Sequence, residues 1–325
     1  MLGRRDIAGL MRPEDYLSAV ETGFRRHAAG EVDVPSPMHI RANGGAFHVK
    51  GAGIALDRPF VAVKLNGNFP DNPRRAGLPT IQGVLLLCDG DDGSVLAAMD
   101  SIEITSRRTA AATALAARHL APPGVDCVAI CGCGQQGRAH LEALAQALPC
   151  ERALVWDLDG EKAQRFAREA KRALGLDVEA ARQANEATLR SQVIVTATTA
   201  RAPFLTRDMV PAGAFVAAVG ADSPEKSELA PDLMAGATIV VDLVEQAVAM
   251  GDLRHAIAAR AVTREGVHAE LSDVIVGRKP GRLRADERIV FDSTGTAIQD
   301  VACAAAIWQR AVARGVGTSF AFGAL

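Results

Sequence analysis

The chain lacks an excess of basic charge: 36 lysines and arginines stand against 38 aspartates and glutamates, for a formal net charge of −2. Nucleic acid is therefore not an expected partner, because its recognition needs clustered cations. No apolar run reaches the length of a membrane span, and the N-terminus opens on Arg4, Arg5 and Asp6 without the apolar segment of a secretory signal. No membrane association is expected, and the expected location is cytoplasmic. Six cysteines, at 88, 127, 131, 133, 150 and 303, show no paired CxxC spacing. Buried free thiols are expected rather than a metal site or a disulfide framework. What the chain does have is length and apolar content, 325 residues at 49% hydrophobic, which describes a globular protein of two domains.

The most informative stretch runs from Asp126 to Asp157. It reads Asp126-Cys-Val-Ala-Ile-Cys-Gly132-Cys-Gly134-Gln135-Gln136-Gly137, then a helical run, then Ala153-Leu-Val-Trp-Asp157. A strand, a glycine turn, a helix and a second strand ending in an acid make the dinucleotide-binding βαβ pattern. Gly132 permits the tight turn, Gly134 lets backbone approach a pyrophosphate, and Gly137 lets the helix pack closely on the strand. Free N–H groups at the helix start would hold the phosphates. Asp157 is placed for a ribose 2′-hydroxyl and would repel a 2′-phosphate, so NAD(H) is expected in preference to NADP(H).

Before this unit, Pro13 to Gly30 patterns as an amphipathic helix with Leu17, Val20 and Phe24 on one face. Short segments follow, Met38 to Ala42, Ala46 to Lys50, Phe60 to Leu65, Ile81 to Cys88 and Val95 to Asp100, and predict a mostly antiparallel sheet. Strand alternation puts Val61, Val63 and Leu65 on one face and Lys64 on the other, and it pairs His48 with Lys50 and His39 with Arg41. Cations could converge there; the plainer reading is solvated side chains on exposed faces. Thr105 is the expected N-cap of an alanine-rich helix, which would put Arg107 and Arg108 in its first turn, where cations are disfavoured unless an anion binds.

From Asp126 to about residue 292, strands and helices alternate, with further strands at Gln192 to Thr196, Phe215 to Val219, Thr238 to Asp242 and Ile289 to Phe291. A doubly wound sheet is predicted, with ligands outside the carboxyl ends of its strands. Asp222 follows one such end and is either an acid/base residue or the N-cap of a helix near Pro224.

Taken together, Val63-Lys64 with Asn72-Pro73 and Gly77-Leu-Pro-Thr80, Thr105-Ser-Arg-Arg108-Thr-Ala-Ala, Gly132-Cys-Gly-Gln-Gln-Gly137, Val219-Gly-Ala-Asp222 with Lys226, and Asp292-Ser-Thr-Gly295 resemble the ornithine cyclodeaminase and μ-crystallin family over nearly the whole chain. The resemblance implies a Rossmann-type α/β domain, about residues 119–299, and a smaller α+β substrate and dimerisation domain from both chain ends, 1–118 and 300–325. It implies a homodimer that moves a hydride at the α-carbon of a small amino or imino acid. By position, Arg41, Lys64 and Arg108 would hold the substrate carboxylate, Lys64 near the reacting nitrogen or carbonyl, with Asp222 as general acid/base. Thr80, Thr109, Gln135, Gln136, Asp157, Thr198, Val219, Lys226 and Ser293 would contact the cofactor, and Thr294 would border the substrate.

One departure bears on the substrate. Where ornithine cyclodeaminases carry a glutamate after the first substrate arginine, this chain has Ala46-Phe-His48-Val-Lys50. A cationic pair repels the distal ammonium of ornithine and attracts a second carboxylate. An NAD(H)-dependent amino-acid dehydrogenase or imine reductase is the leading expectation. A cyclising ammonia-lyase converting ornithine to proline and a μ-crystallin-like binding protein are the alternatives.

Overall fold

The computed structural model of the chain describes residues 1–320; residues 321–325 of the expected C-terminal segment lie outside the described residues. Two compact units form: Met1–Arg108 with the segment from Thr296, and Thr109–Gly295. The division falls inside one helix and just before another, rather than at 118/119 and 299/300.

In the first unit, β1 (Val32–Asp33), β2 (Met38–Ala42), β3 (Gly45–Ala55), β4 (Pro59–Asn68), β5 (Ile81–Asp89) and β6 (Val95–Asp100) form one antiparallel sheet. Its path runs β1-β3-β4-β5-β6, with β2 paired to β3. The helices Pro13–Ala28 and Ala297–Arg314 pack on each other, and the second of them packs on β3 and β4. Gly23 allows that helix pair to close, since a side chain there would meet Ile298 and Ala302 at 3.1 and 3.2 Å. Tyr16, Val20, Phe24, Phe60, Leu85, Leu87 and Met99 fill the resulting core.

Register settles which face is which. Lys64 lies opposite Lys50 and Leu85, on the face that also carries the buried Phe60 and Ala62. Val61, Val63 and Leu65 therefore point the other way and are 39%, 40% and 36% exposed. The plainer expectation of solvated cations fails for Lys64, which is 4% exposed.

The helix Ser101–Leu120 begins four residues earlier than Thr105. Asp100, the last residue of β6, accepts from the Ile102 and Glu103 amides at 3.0 and 3.4 Å and caps it. Arg107 and Arg108 thus lie beyond the first turn, so the dipole argument for an anion at that helix start is withdrawn. Arg107 pairs with Glu103 at 3.0 Å.

In the second unit, β7 (Cys127–Cys131), β8 (Arg152–Trp156), β9 (Asp177–Ala180), β10 (Val193–Thr196), β11 (Phe215–Ala218), β12 (Thr238–Val241), β13 (Ala269–Glu270) and β14 (Ile289–Asp292) form a parallel sheet. Its order is β13-β12-β14-β11-β10-β7-β8-β9. The central strands are apolar and buried on both faces, as a sheet covered on each side by crossover helices requires. The chain reverses its direction of travel between β7 and β10, which is the switch point where such sheets bind ligands. β1, β9 and β13, none longer than four residues, and the helix Arg4–Leu10 escaped the sequence pattern. No helix starts near Pro224, so Asp222 is a loop residue rather than an N-cap. No helix among the described residues is long and apolar enough to cross a membrane.

Gly137 tests the packing of the glycine turn. A Cβ there would collide with the Gly132 carbonyl oxygen and press on Ile130 at 3.1 Å. Gly137→Ala is expected to lower unfolding free energy by about 1–3 kcal/mol, read as a reduced midpoint in urea.

Candidate active site

The candidate nucleotide-binding residues gather in the second unit. Gly132 holds φ +109° and its absent side chain would lie 2.5 Å from the Ala197 carbonyl oxygen, so the glycine turn is tied to the loop after β10. The helix Gln135–Ala147 starts on Gly134, around which a Cβ would meet nothing within 4 Å. That open space, in front of helix N–H groups that lack intrahelical partners, fits a pyrophosphate. Gln135 is exposed there, while the Gln136 side-chain oxygen is buried without a hydrogen-bond partner.

Asp157 directly follows β8 and accepts from the Cys133 amide at 2.8 Å, the Asp159 amide at 3.1 Å and Lys162 Nζ at 2.7 Å. Burial pushes its carboxyl up, but Lys162 and the two amides outweigh this and hold it below the ordinary range. The acid thus fixes the glycine loop before any ribose is present. Lys162, which sequence reasoning missed, sits one helical turn into the Gly160–Leu174 helix.

At the carboxyl ends of β10 and β11, Val219 N–H donates to the Thr196 carbonyl at 2.9 Å, and Thr198 donates to Glu228. Asp222 is 53% exposed at its side chain and pairs with Lys226 Nζ at 2.6 Å. Ser293 and Thr294 follow β14, and both hydroxyls donate to buried Asp242, at 3.4 and 3.1 Å. Thr294 also accepts from Gln246 at 2.6 Å. Thr109, the first residue of this unit, is buried.

A separate cationic cluster lies in the first unit. Lys64 Nζ stands 2.6 Å from Asp300 Oδ2, and Arg108 Nε stands 3.0 Å from Asp300 Oδ1. Arg108 Nη1 also donates to Gln299 Oε1 at 2.6 Å. All three charged side chains are at most 5% exposed. Burial, helped by Arg108 and opposed by Asp300, lowers Lys64 from the usual lysine range to about 7. Burial raises Asp300, yet Arg108 and Lys64 outweigh it and keep its carboxyl below the ordinary value. Lys50, directly across from Lys64, adds a further positive field on both.

His48 lies beside Lys50 on this face and opposite His39, their Nδ1 atoms 3.2 Å apart. Arg41 stands further along β2 and is exposed, so the structure does not bring it into the buried cluster. Thr80 precedes β5 in the same unit, half-buried, its carbonyl accepting from the Phe69 amide at 2.8 Å.

Asp300 and Gln299 are the residues that sequence reasoning missed here. The available signal was their position in the first turn of an otherwise apolar helix, Ala297-Ile-Gln-Asp-Val-Ala-Cys-Ala, where no solvent face exists for them. Among the described residues, no group of three or more histidine, cysteine or acidic side chains is arranged to hold a metal ion.

The sequence matches the model of the ornithine cyclodeaminase/mu-crystallin family over residues 1–315. It is 32% identical over 323 residues to the alanine dehydrogenase of Archaeoglobus fulgidus, covering 99% of this chain and 98% of that one. It is 33% identical over 317 residues to the iminosuccinate reductase of Paracoccus denitrificans, covering 97% and 98%. A solved archaeal alanine dehydrogenase dimer with bound NAD matches with a TM-score of 0.94 at 33% identity, over 99% of this chain and 98% of that one. With motif, fold and full-length similarity in agreement, the chain belongs to the ornithine cyclodeaminase/mu-crystallin family.

Proposed function

We propose that this protein is an NAD(H)-dependent amino-acid dehydrogenase or imine reductase whose substrate is a small α-imino or α-amino acid with a second carboxylate. The observation that carries this reading is the charge imbalance in the first unit: two buried cations, Lys64 and Arg108, share one carboxylate, Asp300. A buried surplus of positive charge is costly unless an anion completes it. The substrate α-carboxylate would be that anion, and His48 with Lys50 would meet the second one. Iminosuccinate, named for one relative, has this chemistry.

The chemistry divides between the units. When bound, the nicotinamide cofactor supplies or accepts the hydride. Gly132, Gly134, Gln135, Gln136 and Gly137 would hold its pyrophosphate, Asp157 its ribose, and Thr80, Thr109, Thr198, Val219, Lys226 and Ser293 the remainder, with NAD preferred over NADP because Asp157 is ionised. Arg108, Lys64 and the more exposed Arg41 would orient the carboxylate, while Thr294 would border the substrate. Asp222 would supply the proton to nitrogen on reduction and activate water on oxidation. Retention of that acid also supports a second reading, cyclising deamination of ornithine, in which the hydride returns and no net NADH forms.

The same reading includes a homodimer. Met38, Ile40, Val61, Val63, Leu65 and Val95 share the sheet face opposite Lys64, each between 36% and 58% exposed. A contiguous apolar strand face of this kind is an association surface, and a second copy of the same sheet is the partner that matches it. Six unpaired cysteines suit a reducing cytoplasm.

The primary test is NADH absorbance with ammonia and glyoxylate, pyruvate, oxaloacetate or 2-oxoglutarate, and NAD with ornithine, alanine or aspartate. The expected result is NADH oxidation fastest with oxaloacetate and slower with NADPH; proline from ornithine without an absorbance change would instead establish the lyase. Lys64→Ala is expected to lower kcat/KM at least about 10²-fold while NADH still binds. Because protonated Lys64 is the form that holds the carboxylate, wild-type kcat/KM for the imino acid, measured at saturating NADH, should be full below about pH 7 and fall as pH rises through it. Val63→Glu is expected to convert a dimer to a monomer in sedimentation, with the fold retained by circular dichroism.

A further inference from the structure

We propose that Glu228 is the positioning residue of the dinucleotide site, its ionised carboxylate tying together the two loops that leave β10 and β11. The inference rests on the reading of those loops as the cofactor's support. Glu228 is fully buried. Its Oε1 accepts from the Thr198 amide at 2.7 Å and the Thr198 hydroxyl at 2.6 Å. Its Oε2 accepts from the Thr196 hydroxyl at 2.7 Å and the Gly220 amide at 2.8 Å. Each oxygen thus takes one backbone N–H and one threonine hydroxyl, and the N–H groups come from different loops. Only an acceptor on both sides satisfies this arrangement, which is a property of a carboxylate.

The tied segments bear directly on the nucleotide turn. The Ala197 carbonyl abuts Gly132, the first glycine of that turn. Gly220 leaves no room for a side chain between Glu228 and the Thr198 carbonyl, and Asp222 follows two residues later. Loosening Glu228 would therefore let Thr198, the wall of the glycine turn and the approach to Asp222 shift together.

The groups facing Glu228 set its proton. Asp252, from the Asp252–Ala258 helix, accepts the amides of Glu228 and Leu229 and the Ser227 hydroxyl. Asp292 from β14 stands electrostatically behind Asp252, and the Cys131 thiol of β7 lies on the other side. Burial first and Asp252 second raise the Glu228 carboxyl to about 7, against the pull of its four donors. Below that pH an added proton points an O–H at a donor and the tie weakens.

The experiment is NADH binding by fluorescence on the full chain from pH 6 to pH 8, for wild type, Glu228→Gln and Glu228→Asp, with thermal melts alongside. Whichever way the glutamine amide turns, its NH₂ faces either the Thr198 or the Gly220 N–H. Wild-type Kd is expected to rise about tenfold from pH 8 to pH 6, as the binding-competent fraction falls. Glu228→Gln should bind about tenfold more weakly at pH 8, with no change across the range. Glu228→Asp, a shorter carboxylate, should weaken binding yet keep the pH dependence, and it carries the test should the glutamine variant fail to fold. Variants that bind NADH as wild type does, or a wild-type Kd flat in pH, would overturn the role of Glu228 alone. A wild type that binds no NADH at any pH would overturn the dinucleotide reading and this role with it.

Discussion

One carboxylate buried among more positive charge than it can neutralise is the constraint around which the first unit is arranged. Lys64 and Arg108 come from a strand and a helix far apart in sequence from Asp300, and both close on it out of reach of water. Holding a lysine in such a place depresses its affinity for a proton, to about 7 here. The sign of the linkage follows: the unfolded chain binds more protons than the folded one between about 7 and the ordinary lysine value. Stability therefore rises with pH across that window, and near neutrality the fold gives up on the order of a few kcal/mol to retain the cation. A hydrophobic residue at position 64 would avoid that cost, so the stability of the fold does not explain the lysine.

The same constraint accounts for the inverted polarity of the sheet. A strand that places Lys64 inward must, by its period of two, place Val61, Val63 and Leu65 outward. Alternation in the sequence separates these two sets but does not say which one faces the helices, because an isolated sheet would bury the valines. The register selects the opposite arrangement, with Lys64 inward beside Asp300 and the valines outward. Phe60 and Ala62, which share the inward face with Lys64, supply the packing that the lysine cannot.

The nucleotide half was legible in the sequence because its determinants are local. Gly132, Gly134 and Gly137 each answer to a backbone need within a dozen residues, and apolar strands buried on both faces announce a parallel sheet. The order of β12 and β14, which are separated by β13 in the chain yet adjacent in the sheet, was not legible, since nothing local records a crossover. Thr105 misled for a related reason: it has the chemistry of a cap, but Asp100 stood earlier and took the helix amides first. Asp300 and Glu228 were missed because a buried acid is identified by its partners. Those partners are remote in the chain for Asp300, and for Glu228 they lie in two separate loops, one of them 30 residues away.

Buried acids have opposite meanings in the two units. At the carboxyl edge of the parallel sheet, Glu228, Asp242, Asp252 and Asp292 accept amides from the surrounding loops and helix starts, among them those of Thr198, Gly220, Leu243, Gly295, Leu229 and Leu253. Burial raises Asp252, and burial with the neighbouring Asp252 and Asp242 raises Asp292, so this edge can meet its charge by holding protons as well as by accepting donors. In the first unit that compensation falls to Lys64, whose hold on its proton burial lowers to about 7. The acids of the second unit thus meet backbone amides, whereas Asp300 of the first meets two side-chain cations.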